Sequence, residues 1–219
     1  MQSLDVFLPR LLPLVPGCPE PLAVQALLDA AIEFCDETCV VVSVTTPSAI
    51  QAGVSGYTVT LPQQAELTRV SRVWCGKRKL NLAQGVKVDT PLVYTNPIGE
   101  FYAPEGAPTT ATISSTGVVT LYPTPDAATA AKELLSLRIA TRPTRSATQV
   151  DDRLGSAWAE AIVAGAAYRL TGMQAVAFSD EAQSVKAHAR FRYFINRARI
   201  EANRTSLGGS VGVRNNPFA

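Results

Sequence analysis

Cys35 and Cys39 stand four residues apart, the closest pair among the four cysteines. On a helix that spacing puts both thiols on one face, as a metal pair would need. A closed zinc site takes four ligands in compact groups, and no pair of histidines lies nearby. The sole histidine, His188, is far along the chain. Cys35 and Cys39, with Cys18 and Cys75, therefore read as buried free thiols, the usual state of unpaired cysteine. Four cysteines in 219 residues do not make a disulfide scaffold. A Ser-His-Asp arrangement would rest wholly on His188, which sits mid-helix between Ala187 and Ala189 beside a cationic stretch; a surface or interface role suits it better. Asp151 and Asp152 read as a helix N-terminus, not as an acid–base pair. No phosphate-binding loop, dinucleotide fingerprint or HExxH motif occurs. The reading is of a non-enzyme without cofactor or metal.

The remaining chemistry is charge. Arg190, Arg197 and Arg204 recur every seven residues and share one helical face; Arg192 and Arg199 form a second row, and Lys186 adds a sixth cation. Such rows can track a nucleic acid backbone. They equally suit a helix C-terminus, carboxylates of a neighbour, or long stems laid over apolar surface. The protein-partner reading is preferred, because no DNA-binding motif accompanies the row. The basic turn Lys77–Arg78–Lys79 reads as a solvated hairpin tip or a loop touching a partner. Net charge is only +2, yet residues 1–37 carry −5, residues 38–150 carry +4 and residues 151–219 carry +3. An acidic start and a basic end fit head-to-tail contact between subunits, or a polyanion near the C-terminal helix.

The elements that must position these groups run helix, strands, helix. Hydrophobic residues make up 47%, enough for a real core. The opening MQSLDVFLPRLLPLVPG is broken by Asp5, Arg10 and its prolines, so no secretory signal is expected, and no apolar run is long enough to span a membrane. Ser3 can cap a first helix that Pro9 and Pro13 reduce to short turns. Val24, Leu27, Leu28, Ala31, Phe34 and Cys35 recur at helical spacing over about 19–37, with Gln25, Asp29 and Glu33 opposite. CVVVSVTT, GYTVTLP and LTRVSRVW then read as strands, and Gly76 turns the last into KLNLA as its partner. ATISS and TGVVTLYPTP form a second hairpin with its turn at Ser115–Gly117. ELLSLRIAT is a last strand with Leu135, Leu137 and Ile139 facing one way. The Pro- and Gly-punctuated stretch 83–109 reads as an extended excursion.

After RPTRSATQ the helical period returns. Thr148 and Asp151 have capping-box spacing, and Leu154, Trp158, Ile162, Gly165 and Arg169 follow one face to a cap at Gly172. A final helix runs from near Ser179 to about Arg204 with two apolar stripes: Ala182, Val185, Ala189 and Tyr193, and Phe191, Phe194, Ile195, Ala198 and Ala202. Two stripes imply contact on two sides. The resulting fold class is α+β: a helical bundle from 1–37 and 146–205, an inserted antiparallel β-sandwich or barrel over 38–145, and a flexible tail over 206–219.

The serial order of AIEFCDET, GYTVTLP, RVSRVWCGKRKL, TGVVTLYPTP, LSLRIATRPTR, WAEAIVAGAAYRLTGM and RFRYFINRARIEA resembles the head-to-tail adaptor proteins of tailed bacteriophages, called tail tubular protein A in some short-tailed phages. The loop 83–109 departs from that pattern in length and proline content. The resemblance implies a virion protein, made in the host cytoplasm and placed at the head–tail junction, in a ring of twelve copies. It implies docking on the portal protein, support of the next tail component (nozzle or tail tube protein), and passage of genomic DNA through a lumen. In such a ring the last helix is expected at the subunit interface through Arg190, Phe191, Phe194, Arg197 and Arg204. The tail is expected to dock on the portal through Val213, Arg214, Pro217 and Phe218, and Lys77, Arg78 and Lys79 to face the DNA channel or a partner. The alternatives are a nucleic-acid-binding module using the basic helix, or another head-completion or tail-terminator ring protein.

Overall fold

The computed structural model describes residues 1–82, 94–95, 101–102, 104–114 and 117–207. The fold is mixed α+β. Among the described residues there are six α-helices: α1 (Leu8–Leu11), α2 (Glu20–Thr38), α3 (Ala127–Ala130), α4 (Asp152–Ala157), α5 (Ala159–Thr171) and α6 (Glu181–Leu207). The chain divides into two compact units. The first comprises 1–41, 63–68 and 141–219, the second 42–62 and 69–140.

The first unit is helical. Ser3 caps a 3-10 turn over Leu4–Phe7 by accepting from the Asp5 N–H at 3.3 Å, and α1 and a second 3-10 turn follow, with Pro9 and Pro13 holding each piece short. α2 begins after Pro19 and ends at Cys39, whose positive φ of 49° makes it the left-handed cap; its N–H returns to the Cys35 carbonyl at 2.8 Å. α2 buries Ala23, Leu27, Ala30, Phe34 and Cys35. α5 is the inner rod, with Ala161, Ile162, Ala166, Ala167 and Leu170 inaccessible or nearly so. Its small side chains let the flanking aromatics close over it. Phe34 packs 5.4 Å from Trp158 and 6.2 Å from Phe191, and Phe191 lies 6.0 Å from Tyr168, all between ring centroids. Full burial of each such ring contributes about 1.5–3 kcal/mol. Asp180 starts α6 by accepting from the Gln183 N–H at 2.9 Å.

Three local expectations change here. The helix expected from Asp151 to Gly172 breaks at Trp158, whose φ of −124° and ψ of 16° are not helical, so α4 and α5 are separate. Thr148 does not cap it: Asp151 does, accepting from the Arg153 N–H at 2.9 Å, while the Thr148 N–H donates to Gln64 Oε1 at 3.1 Å. Gln64 thus competes for the group that a capping box would have used. Gly172 does close α5, but with right-handed φ of −80°, so it is chosen for space and not for conformation: a Cβ there would stand 3.0 Å from Ser184 Oγ.

In the second unit, Gly56–Thr58, Val118–Tyr122, Thr110–Ile113 and Asn81–Leu82 form one sheet in that order. Thr110–Ile113 and Val118–Tyr122 pair antiparallel, as the hairpin reading anticipates; its turn at Ser115 and Thr116 lies outside the described residues. A further sheet runs Val42–Val44, Leu134–Pro143, Ala65–Cys75, Arg78–Lys79, with Ser48–Ala49 also on Leu134–Pro143. Leu135, Leu137 and Ile139 are buried on one side of their strand, as expected. CVVVSVTT contributes only Val42–Val44 to the ladder. Val70 and Val73, of opposite parity, are both buried, so that strand is covered on two faces and not one. KLNLA is also not one partner strand. Arg78–Lys79 pairs with Trp74 and Cys75, then buried Leu80 carries the chain across to the other sheet, where Asn81–Leu82 runs parallel to Thr110–Ala111. Most of the 83–109 excursion lies outside the described residues.

Gly165 sets the separation of α2, α5 and α6. A Cβ on it would come within 2.8 Å of Phe191 and 2.9 Å of the Ala30 methyl. Gly165→Ala gains about 1 kcal/mol of helix propensity, but the overpacking costs about 1–3 kcal/mol. The expected result is a lower urea midpoint than wild type; a raised midpoint would show that the helices separate without penalty.

Candidate interaction surfaces

α6 is 27 residues long, about 40 Å. Its stripe of Ala187, Phe191, Ile195 and Ala198 is buried in the chain's own core, with Phe194 and Ala202 half-buried beside it. The other stripe faces solvent. Val185 is 65% exposed, Tyr193 63% and Ile200 55%, and Ala182 and Ala189 lie exposed between them. Of the residues expected at a ring interface, Phe191 is therefore occupied inside the subunit. Phe194 packs edge-on to Tyr193 at 5.5 Å, with the Arg190 guanidinium 5.9 Å from its ring. Arg197 lies over the Trp158 ring at 5.8 Å, and Arg204 is exposed. Sequence reasoning named Val185 and Tyr193 in a stripe but missed Ile200, which continues it seven residues on; that spacing was the available signal.

The charges on α6 are sorted by its neighbours. Glu37, in the last turn of α2, accepts from Arg192 at 2.8 and 3.1 Å and from Arg199 at 2.5 Å, while Arg199 Nε also donates to the Glu37 carbonyl at 2.9 Å. Arg169 of α5 pairs with Glu33. Arg142 links Asp36 at 2.6 Å and Glu66 at 2.9 Å. Arg190 reaches Glu160 at 2.7 Å and Arg153 reaches Glu201 at 3.0 Å. Three of the N-terminal acids, Glu33, Asp36 and Glu37, are thus matched within the chain. On α6, Lys186, Arg197 and Arg204 have no carboxylate partner among the described residues. His188 is exposed, its ring 5.1 Å from that of Tyr168.

The basic tip Lys77–Arg78–Lys79 is exposed but not loose at its base. Gly76 takes φ of 58° and donates its N–H to the Leu134 carbonyl at 2.8 Å. The buried Cys75 thiol donates to Glu133 Oε2 at 2.7 Å, and Arg78 donates to the same oxygen at 3.1 Å. Burial first, and then that hydrogen bond, pushes the Cys75 thiol up to about 12. The thiol, and then Arg78, hold the Glu133 carboxyl below the usual carboxylate range. Cys35 is likewise pushed far up by burial, consistent with an inert core thiol. Among the described residues no group of three or more His, Cys, Asp or Glu could hold a metal ion, and no helix is long and apolar enough to cross a membrane. Val213, Arg214, Pro217 and Phe218 lie outside the described residues.

α6 thus has one apolar face in the chain's own core and a second in solvent, with several of the chain's ionisable groups joined in ion pairs. A family model described as SU10 adaptor protein matches residues 8–214, and the chain belongs to that family. Its role is structural, that of a bacteriophage head-to-tail adaptor at the head–tail junction of the virion. No curated protein matches the chain.

Two outcomes follow from the clamps. Glu37→Gln leaves Arg192 and Arg199 with a weaker acceptor; a stability loss of about 1–2 kcal/mol is expected by urea denaturation, together with stronger retention on DNA at low salt. An unchanged midpoint would mean that the clamp contributes nothing measurable. The Glu133 carboxyl has a depressed folded-state value, so its contribution is present above the unfolded carboxylate range and is lost as pH falls through the depressed value. Amide exchange at Gly76–Lys79, corrected for intrinsic rates, is expected to accelerate over that acidic window in wild type and to be fast and flat there in Glu133→Gln.

Proposed function

We propose that the chain is the adaptor ring subunit that joins the portal to the tail. Twelve copies would stand side by side around a lumen for the genomic DNA, dock on the portal protein and carry the next tail component, a nozzle or tail tube protein. The likeness to tail tubular protein A belongs to this proposal, as does the division into a helical bundle (1–37 and 146–205), an inserted β-sandwich or barrel (38–145) and a tail (206–219). The observation that carries it is the solvent-facing apolar stripe of α6 on a chain of an adaptor family. Burying that stripe against a neighbour removes from water a surface that is unfavourable in an isolated subunit. The tail would engage the portal through Val213, Arg214, Pro217 and Phe218, wrapping its surface at an entropic cost. Lys77 and Lys79 would present charge to the DNA or to a partner from a tip held at its base by Glu133. The reading as a nucleic-acid module is weakened by Glu37, which engages the second arginine row.

Removing residues 208–219, which spares α6, tests the docking claim. Capture of the truncated chain by immobilised portal is expected to fall at least tenfold, with an unchanged thermal melt. Undiminished capture would remove the tail from the portal contact.

A further inference from the structure

The adaptor reading calls for copies side by side; the faces through which they would meet can be argued from the helices themselves. On α6 the exposed residues Ala182, Val185, Ala189, Tyr193 and Ile200 follow in steps of three, four, four and seven, with exposed Asn196 within the last step. They form a seam opposite the buried stripe of Phe191, Ile195 and Ala198. Along one flank runs the row Lys186, Arg190, Arg197 and Arg204. Pairing this seam with the same seam of another copy is disfavoured. An antiparallel match centred on Tyr193 brings Arg190 opposite Asn196 of the partner copy, one residue from Arg197, so the two basic rows approach each other, while Glu160 pairs with Arg190 and Glu201 with Arg153 inside each copy.

A second outward row exists in the same unit. On α2, Leu22, Gln25, Asp29, Ile32 and Asp36 step by three, four, three and four along the side away from Phe34 and Leu27. Leu22 and Ile32 are half-buried, so part of each remains available, and both pack on the core from the outside. Among the described residues Asp29 accepts a hydrogen bond from Gln25 alone, at 3.3 Å, and Asp36 is 36% exposed at its side chain even with Arg142 on it. This row is therefore apolar and acidic where the α6 seam is apolar and basic. Both are straight rows of three-and-four spacing, the form that helix ridges and grooves need.

We infer that the α6 seam of one copy docks on the α2 row of the next copy. The two surfaces are different patches of one chain, so the contact is head-to-tail. A pair of copies keeps one free α6 seam and one free α2 row, and association continues until the chain of copies closes on itself. Small side chains at Ala182 and Ala189 permit close approach, Tyr193 and Ile200 are the apolar anchors, and Arg197 and Arg204 lie beside the acids of α2.

Complementary charge reversal tests this on the full-length chain. Sedimentation velocity across a concentration series should show wild type associating beyond a dimer, more strongly at low salt. Arg197→Glu with Arg204→Glu should weaken association at least tenfold, as should Gln25→Arg with Asp29→Arg. An equimolar mixture of the two double variants should recover it, because each reversed face then meets its opposite. Ile200→Asp, which leaves Arg197 on Trp158, should weaken association without rescue by either, and thermal melts confirm that each variant is folded. Four results would overturn the inference: a wild type that stays monomeric at several hundred micromolar, a wild type that stops at a dimer, a mixture that fails to recover, or an arginine variant that associates normally while losing salt-sensitive retention on duplex DNA. Capture by portal is read separately, so a monomer that still binds portal would sink this contact and leave the adaptor reading standing.

Discussion

The contact of Phe191 with Gly165 governs the helical unit. A glycine on the inner rod lets a phenylalanine ring sit where a methyl group could not, and the same site touches Ala30 of α2. Three helices are thereby brought to one separation. With Phe191 inward, α6 has its rotation decided, and so Tyr193 and Ile200 face solvent. The outward seam is a consequence of that one packing choice. Interiors are packed close to crystal density, so such a choice is discrete and not adjustable.

Electrostatics follow the packing. Once α6 is docked, Arg192 and Arg199 arrive beside the last turn of α2, where Glu37 meets both. Half-exposed pairs of this kind contribute little singly. Their larger effect is on specificity, because they engage two cations with Glu37 and leave the remaining basic row on one flank of α6. A helix that is uniformly cationic as a sequence becomes polarised as a structure. That polarity makes like-with-like contact unfavourable and leaves contact with an acidic surface open.

Much of the architecture was legible in local pattern. α2 and α6, the hairpin of Thr110–Ile113 with Val118–Tyr122, and the inward row Leu135, Leu137 and Ile139 all follow from period and turn chemistry, which act over a few residues. What was not legible depends on partners distant in the chain. Two apolar stripes on α6 look alike until Gly165 selects one, so Phe191 read as an interface residue although it fills the core. Glu37 meets arginines 155 and 162 residues away, a pairing that no local spacing encodes. Thr148 looked like a cap because Gln64, 84 residues earlier, was not visible as its competitor. The family match agrees with the resemblance read from the order of elements, at the level of a phage adaptor.

The small side chains of α5 carry one more consequence. Alanine and glycine have no rotamers to lose, so ordering those positions of the rod forfeits almost no side-chain entropy. At Gly165, where the rod meets Phe191 and Ala30, there is no side chain to rearrange when α2 or α6 shifts. Substitution at Gly165 is therefore limited by volume, whereas the solvent-facing seam of α6 is limited by the chemistry of what it meets. The inner helix sets a tolerance in volume, and the outer one a tolerance in chemistry.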